Sequence, residues 1–379
     1  MNAGNVISWN ALIAEHTKHG RSHEALSCFD RMQGQCIIPN PITFLCALKA
    51  CSSIGAVDKG KQIHIDVVSR SLLERNHVLG TALLGMYAKC GVLAKARQVH
   101  EELHIRDVVS WSALIGGYAQ HGQCHEALTC LKQMQTDGIS PNTIVFTSIL
   151  KSCGSAGAID KGKQIHDIIV NKGWLEKDLA LGNALVDMYA KCGALSNAQQ
   201  LMDELQIRDV VSWNTVIGGY AERGYGREAL NCFEHMESEG LSPDGVTFLC
   251  LLNACSHSGL LNEIQILFGN MSEKYNIIPR LQHLAFMVTV FGCAGYFDQV
   301  MSVIKMMPSS DNSAVWLAVL DVSRIWGNSK LGILAFDQLM QLDNSCAISY
   351  IVMADIFVKA GMQDDAEKVE AIRLKYAAF

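Results

Sequence analysis

The side chains best suited to metal or acid–base chemistry in this 379-residue chain are its 14 Cys and 13 His. A hydrolytic zinc centre needs a thiolate pair and an imidazole to hold the ion and a glutamate to shuttle protons, written as Cys-x-x-Cys with His-x-Glu. No two of the cysteines have that spacing, and neither His23-Glu24 nor His125-Glu126 begins a His-x-Glu or a His-Glu-x-x-His. The expectation is therefore no catalytic residue, no metal ligand, no cofactor and no enzyme. His64 and His166 recur within one phrase, Lys-Gly-Lys-Gln-Ile-His, and are expected to be packed or solvated helix histidines.

A second set of polar residues has defined donors and acceptors. Asp107, Asn142, Asp209 and Asp244 each stand immediately before an expected helix. There an Asn or Asp oxygen accepts free backbone N–H groups and stabilises by about 1 kcal/mol, which alone accounts for those four. Asn10, Ser112 and Asn214 are different: each sits inside an expected helix, where its propensity is poor, and each lies off the Trp-Leu-Ile stripe.

The elements that must position these groups follow from self-similarity. Trp9, Trp111 and Trp213 lie 102 residues apart, as do Pro39, Pro141 and Pro243, and Ala25-Leu26, Ala127-Leu128 and Ala229-Leu230. Lys-Gly-Lys-Gln-Ile-His begins at Lys59 and Lys161, and Met-Tyr-Ala-Lys-Cys-Gly at Met86 and Met188, with the same step. Each step divides into units of 35, 36 and 31 residues, as in 108–142, 143–178 and 179–209. Trp111, Leu114, Ile115 and Tyr118 keep i, i+3, i+4, i+7 spacing, Gly122 breaks the helix, and Ala127, Leu128, Leu131 and Met134 restart a second apolar face. One such hairpin cannot bury its own stripe, so successive hairpins must stack. The expected fold is all-α, a right-handed superhelical solenoid of helix-turn-helix units running 6–40, 41–76, 77–107, 108–142, 143–178, 179–209, 210–244, 245–280 and 281–312, with helical hairpins from 313 to 376.

Composition agrees. The chain is 49% hydrophobic, with only 6 Pro and 7% aromatic residues, which favours helices over a sandwich or barrel. A net charge of -6 excludes a global basic field, although Lys59, Lys61, Lys161 and Lys163 recur at matched places and are expected mainly on a solvated face. The cysteines recur beside Ala, Lys or Gly and are expected to be free packing thiols of a reducing compartment. The longest apolar run, near 284–295, falls well short of the roughly 18 residues of a membrane span, and no membrane association is expected.

The phrases Val-Val-Ser-Trp-Asn-Thr-Val-Ile-Gly-Gly-Tyr at 210–220, Met-Tyr-Ala-Lys-Cys-Gly, and Ala-Cys-Ser-His-Ser-Gly at 254–259 distinguish the chain from tetratricopeptide repeats. It resembles the land-plant pentatricopeptide repeat (PPR) proteins built from P, L and S repeat types, over nearly its whole length. Ala314-Val315-Trp316, Gly327-Asn328 and Leu331-Gly332 resemble the first of the E motifs that follow such repeats, and Tyr350, Asp364-Asp365 and Val369 resemble the second. Two departures stand out: Ser323-Arg324-Ile325-Trp326 replaces a Cys-Arg-Ile-His style, and after Arg373 the chain ends in Leu-Lys-Tyr-Ala-Ala-Phe. The second E motif is thus expected to be incomplete, and the terminal deaminase domain of the subgroup to be lacking.

The resemblance implies sequence-specific binding of single-stranded organellar RNA, one base per repeat, in the service of cytidine-to-uridine editing with a deaminase supplied in trans. It also implies a mitochondrion or chloroplast, although no presequence is visible before the first repeat. By the family's pattern the fifth and last residues of a repeat specify the base: Asn10 with Asn40, Thr81 with Asp107, Ser112 with Asn142, Asn183 with Asp209, and Asn214 with Asp244. Their implied target is pyrimidine, any, G, A, any, U, U. Thr147 with Asp178 resembles a G pair within an L repeat, whereas Leu45 and Leu249 cannot hydrogen-bond a base. The second residues Ile7, Val78, Val109, Ala180 and Val211 would flank the bases. Two other readings stand beside this one: a transcript-stability or splicing factor of the same fold, and a protein-binding scaffold, which a neutral or acidic groove would favour.

Overall fold

The computed structural model describes residues 5–307, 313–343 and 346–376, and among these every regular element is a helix. The expected unit boundary at 308–312 and the last three residues lie outside the described part. Three kinds of hairpin alternate. The first kind is α1 (Val6–Lys18) with α2 (Ser22–Gly34); the second is α3 (Pro41–Ile54) with α4 (Val57–Ser69) and a single turn, α5 (Leu72–Arg75); the third is α6 (His77–Lys89) with α7 (Leu93–Glu102). The series repeats as α8 (Val108–Gln120) with α9 (Cys124–Thr136), α10 (Thr143–Ala156) with α11 (Ile159–Asn171), and α12 (Leu179–Lys191) with α13 (Leu195–Glu204). A third round comprises α14 (Val210–Glu222), α15 (Gly226–Ser238), α16 (Gly245–His257), α17 (Leu261–Glu273), α18 (Leu281–Cys293) and α19 (Phe297–Lys305). Two further pairs follow: α20 (Ser313–Trp326) with α21 (Ser329–Leu342), and α22 (Ala347–Lys359) with α23 (Gln363–Tyr376).

The chain divides into two compact units, 1–219 and 220–379, so the division falls inside α14. Within each unit the sequence pattern explains the packing. Trp111, Leu114, Ile115 and Tyr118 on α8 are all buried, as are Ala127, Leu131 and Met134 on α9, and Leu128 is half-buried. First helices pack on the first helices of neighbouring hairpins, α3 on α6, α6 on α8, α8 on α10 and α10 on α12 in the first unit and α16 on α18, α18 on α20 and α20 on α22 in the second, the nearest-neighbour pattern of a helical-repeat solenoid. Gly122, with φ of +72°, turns the chain between α8 and α9, a conformation that a side chain would strain.

Each carbonyl at a helix C-terminus has two lone pairs, and side chains of the next repeat reach some of them. In the first unit Cys90 Sγ reaches the Cys51 carbonyl at 3.9 Å, Cys192 Sγ the Cys153 carbonyl at 3.7 Å, and His121 Nε2 the Lys89 carbonyl at 3.3 Å. In the second unit His257 Nδ1 lies 2.9 Å from the Ala221 carbonyl, and the Trp326 indole N–H donates to the Gly292 carbonyl at 2.8 Å. Trp326 thus makes in α20 the kind of bond that His257 makes in α16, which gives the Ser-Arg-Ile-Trp departure a structural role.

The recurrent histidines are packing groups. His64 Nδ1 is 3.0 Å from the Tyr87 hydroxyl and His166 Nδ1 is 2.8 Å from that of Tyr189, so the two long sequence phrases meet at equivalent interfaces. All fourteen cysteines are free, and burial pushes the Cys51 and Cys153 thiols up to about 12, so these two are inert at neutral pH. His100 carries a testable consequence. Its ring is buried against Trp111 at a centroid distance of 4.2 Å, and burial, followed by the charge of Arg106, lowers its pKa from 6.5 to about 4. The unfolded chain binds this proton first as pH falls, so stability is fully present above 6.5 and is lost between 6.5 and 4. Urea unfolding of wild type should show a loss from this residue of up to ~2 kcal/mol between pH 7 and pH 5. His100→Gln should reduce the pH dependence by that amount; an unchanged slope would refute the assignment.

Candidate nucleic-acid interface

The N-terminal turns of the first helices bring the polar residues singled out above to one edge of each hairpin. Each of the five last residues singled out precedes a first helix and caps it. Asn40 Oδ1 accepts the Thr43 N–H at 3.0 Å, Asp107 Oδ1 the Ser110 N–H at 2.8 Å, Asn142 Oδ1 the Val145 N–H at 3.0 Å, Asp209 Oδ1 the Ser212 N–H at 2.8 Å and Asp244 Oδ1 the Thr247 N–H at 2.9 Å. Capping occupies one oxygen and leaves the second polar atom of the side chain for other partners.

The five pairs do not behave alike. Asn10 Nδ2 donates to Asn40 Oδ1 at 3.1 Å, and Asn183 Nδ2 donates to Asp209 Oδ1 at 3.4 Å, so these two pairs are assembled. Thr81 instead donates to the His77 carbonyl at 3.2 Å and Ser112 to the Val108 carbonyl at 2.5 Å, each closing on its own helix. Among the described residues Thr81 makes no hydrogen bond to Asp107, nor Ser112 to Asn142. A short hydroxyl cannot span the distance that an asparagine amide does, and it finds the carbonyl four residues back within reach. Asn214 is buried in the first unit, and Asp244 heads α16 in the second.

Burial pushes the Asp209 carboxyl up, but the hydrogen bonds from the Ser212 N–H and hydroxyl, the Asn183 amide and the Val211 N–H outweigh it and hold it below the usual carboxylate range. Asp209 is therefore an anion and an obligate acceptor at neutral pH.

The second residues form an apolar row. Ile7, Val78, Val109 and Val211 are exposed, at 75%, 49%, 56% and 57%, and Ala180 is exposed beside them in sequence pattern. Ile42, Ile144 and Val246, which sequence periodicity does not mark, stand at the same place in the second kind of hairpin and are equally exposed. Aliphatic side chains held in solvent at one fixed position of successive repeats are a surface suited to a flat apolar ligand.

A groove of about 500 Å³ crosses the first helices of the third, fourth and fifth hairpins. Ser112 and Ile144 line it together with Gly116, Ser148, Lys89 and Lys151, and no carboxylate is among its lining residues. Lys89 and Lys151 are exposed, and neither makes an ion pair among the described residues. By contrast Lys59 is paired with Asp30 and Lys61 with Asp58, on second helices away from this groove. Among the described residues no cluster of His, Cys, Asp and Glu could hold a metal ion, and no helix is long and apolar enough to cross a membrane.

Stacked α-hairpins with one groove lined by Ser112, Ile144, Lys89 and Lys151 define a helical-repeat solenoid. The chain belongs to the PPR repeat family, whose pattern it matches at residues 4–53, 106–155 and 208–257, with further PPR repeat matches at 183–210 and 246–275. It is 36% identical over 373 residues to the chloroplastic pentatricopeptide repeat-containing protein CRR2 of Arabidopsis thaliana, covering 97% of this chain and 56% of that protein. A putative mitochondrial pentatricopeptide repeat-containing protein of the same plant is 34% identical over 375 residues, 98% of this chain and 59% of the relative. The chain thus spans somewhat more than half the length of these two relatives. Among solved structures, the pentatricopeptide repeat protein PPR10 in complex with an 18-nt psaJ RNA element shares the fold with a TM-score of 0.57 at 16% identity, over 98% of this chain and 61% of that one. A second structure, of PPR10 from maize, gives 0.51 at 20% identity, over 96% and 58%.

Proposed function

We propose that this protein binds single-stranded RNA in a sequence-specific manner and serves as a site-recognition factor for cytidine-to-uridine editing in a mitochondrion or chloroplast, performing no chemistry itself. The observation that carries the reading is the groove whose lining joins a fifth-position side chain, Ser112, and a second-position aliphatic, Ile144, to two lysines without ion-pair partners among the described residues, with no carboxylate in the lining. Splayed bases would set their edges against the polar pairs and their faces against the aliphatic row, while the ammonium groups meet the phosphates. A protein-binding scaffold calls for no such separation of cationic, polar and apolar positions. The relatives named chloroplastic and mitochondrial support an organellar site of action.

In this reading residues 6–312 form nine repeats of P, L and S types, and 313–376 form the E-like hairpins. Asn10/Asn40, Thr81/Asp107, Ser112/Asn142, Asn183/Asp209 and Asn214/Asp244 specify bases, and Ile7, Val78, Val109, Ala180 and Val211 flank them. The exposed Ile348, Ile351 and Val358 on α22 give the E-like segment an apolar face suited to a deaminase supplied in trans. The complex of a related fold with an RNA element supports the ligand class.

The test is binding of the purified chain to an RNA carrying pyrimidine, any, G, A, any, U, U, beside one with G and A exchanged, across several salt concentrations. The first should bind at least ~10-fold more tightly, as expected when two base contacts of about 1–3 kcal/mol each are at stake. Ser112→Ala should erase the preference for A at the fourth hairpin. Equal binding of the two RNAs would remove base reading, and absence of binding would leave the scaffold.

A further inference from the structure

The two assembled pairs share a third member. The Thr43 hydroxyl lies 2.5 Å from Asn10 Oδ1 and 3.0 Å from Asn40 Oδ1, and the Ser212 hydroxyl 2.6 Å from Asn183 Oδ1 and 2.8 Å from Asp209 Oδ1, so the nearer acceptor for its one proton is in each case the asparagine of the preceding repeat. Both residues belong to the following repeat, in its third position, and both also accept the N–H of the last residue: Asn40 N to Thr43 Oγ1 at 3.1 Å and Asp209 N to Ser212 Oγ at 3.2 Å. Thr43 and Ser212 are fully buried. One hydroxyl therefore ties together the capping residue, the helix it caps and the asparagine one hairpin back.

The polarity of the asparagine amide is dictated by this arrangement. Asp209 Oδ1 is an ionised oxygen with no proton to give, so Asn183 must turn its NH2 toward it. Asn40 must aim its oxygen at the Thr43 N–H to cap α3, so Asn10 must likewise turn its NH2 toward Asn40. The hydroxyl then occupies one lone pair of the asparagine Oδ1. What remains for a ligand is one amide N–H and one Oδ1 lone pair in a fixed order. Without the hydroxyl the only tether at Asn183 is the long 3.4 Å bond to Asp209, and the terminal torsion of asparagine is broad and nearly two-fold. The amide would then offer donor and acceptor edges interchangeably.

The fourth and fifth hairpins supply the contrast. The fifth residue is Ser112, the third residue of the next repeat is Val145, which has no hydroxyl, and Ser112 closes on the Val108 carbonyl. We infer that the third-position hydroxyl, in Thr43 and Ser212, is a positioning residue that fixes which edge of the preceding repeat's asparagine faces the base and thereby sets the choice of base at that repeat. The inference rests on the RNA-reading function proposed above.

The experiment measures affinity for RNAs that differ only in U or C opposite the Asn183/Asp209 repeat, and separately only in A or G opposite the Ser112/Asn142 repeat. Wild type, Ser212→Ala and Ser212→Thr are compared, each with its thermal midpoint. Ser212→Ala should lose at least threefold of the U-over-C ratio and keep the A-over-G ratio, while Ser212→Thr should keep both. Thr43→Val, nearly the same volume, should lose the pyrimidine-over-purine ratio at the first repeat and provides a second reading if Ser212→Ala folds poorly. Wild-type U-over-C and pyrimidine-over-purine ratios in these two variants, with only a lowered thermal midpoint, would show a helix cap and nothing more. A wild-type chain with no preference at either position overturns base reading itself, and the inference with it.

Discussion

Lys89→Glu combined with Lys151→Glu is expected to weaken RNA binding by at least ~10-fold at low salt and to shallow its salt dependence. The two ammonium groups lie along the groove that holds Ser112 and Ile144, on the ninth residue of one hairpin kind and the thirteenth of another. Each neutralised phosphate on a single strand contributes a slope of roughly 0.7 in log affinity against log salt. Losing two such contacts should lower the slope by about 1.4, and the introduced carboxylates add repulsion to the loss. The effect is uniform across sequences, because phosphate contacts position the strand and carry no base information. Lys59→Glu is the control: this lysine is engaged with Asp30 and lies over the Phe29 ring on the second-helix side. Its reversal should leave the slope unchanged. If the double variant binds as wild type does, the groove is not the RNA path.

The hairpins were readable because each carries its own punctuation. Gly122 and Gly157 sit at positive φ where the sequence pattern breaks, and Trp9, Trp111 and Trp213 keep the register of a buried stripe, as found. The last residues of the repeats were readable as caps for the same reason: a cap is a local event. What needed the structure was everything created by stacking. Thr43 and Ser212 look like ordinary capping-box residues, and no local pattern shows a hydroxyl reaching an amide 33 or 29 residues back. Ile42, Ile144 and Val246 are aliphatic and adjoin the core stripe, and their standing in solvent is settled only by the packing of the first helices. Lys89 and Lys151 share no position in the repeat and line one groove from the third and fifth hairpins. Net charge of the whole chain was a poor guide for that reason: it averages over faces that stacking separates.

Gly116→Ala and Gly117→Ala, one residue apart on α8, should shift stability in opposite directions. A Cβ on Gly117 would stand 2.6 Å from Ala88 Cβ and 3.2 Å from Ala88 Cα on α6, where the obstacle is the neighbouring helix itself and not a side-chain end that could swing away. The third and fourth hairpins must then part, at a cost of about 1–3 kcal/mol. A Cβ on Gly116 would meet only Ser148 Oγ, at 3.8 Å, and Ala there gains about 0.5–1 kcal/mol of helix propensity. Urea unfolding measures both. Ala88→Gly should recover part of the loss in Gly117→Ala, since it removes the 2.6 Å approach of the two Cβ atoms but leaves the 3.2 Å approach to Ala88 Cα, and this non-additivity separates a packing conflict from a propensity effect. Gly219 repeats the arrangement 102 residues on, where a Cβ would lie 2.6 Å from Ala190 Cβ. The close approach matters for function as well as stability. The distance from one first helix to the next sets the spacing of the polar pairs, so a chain that reads successive bases must hold that spacing at every interface. Gly117→Ala should therefore weaken RNA binding under conditions in which the variant remains folded, whereas Gly116→Ala, although it lines the groove, should not.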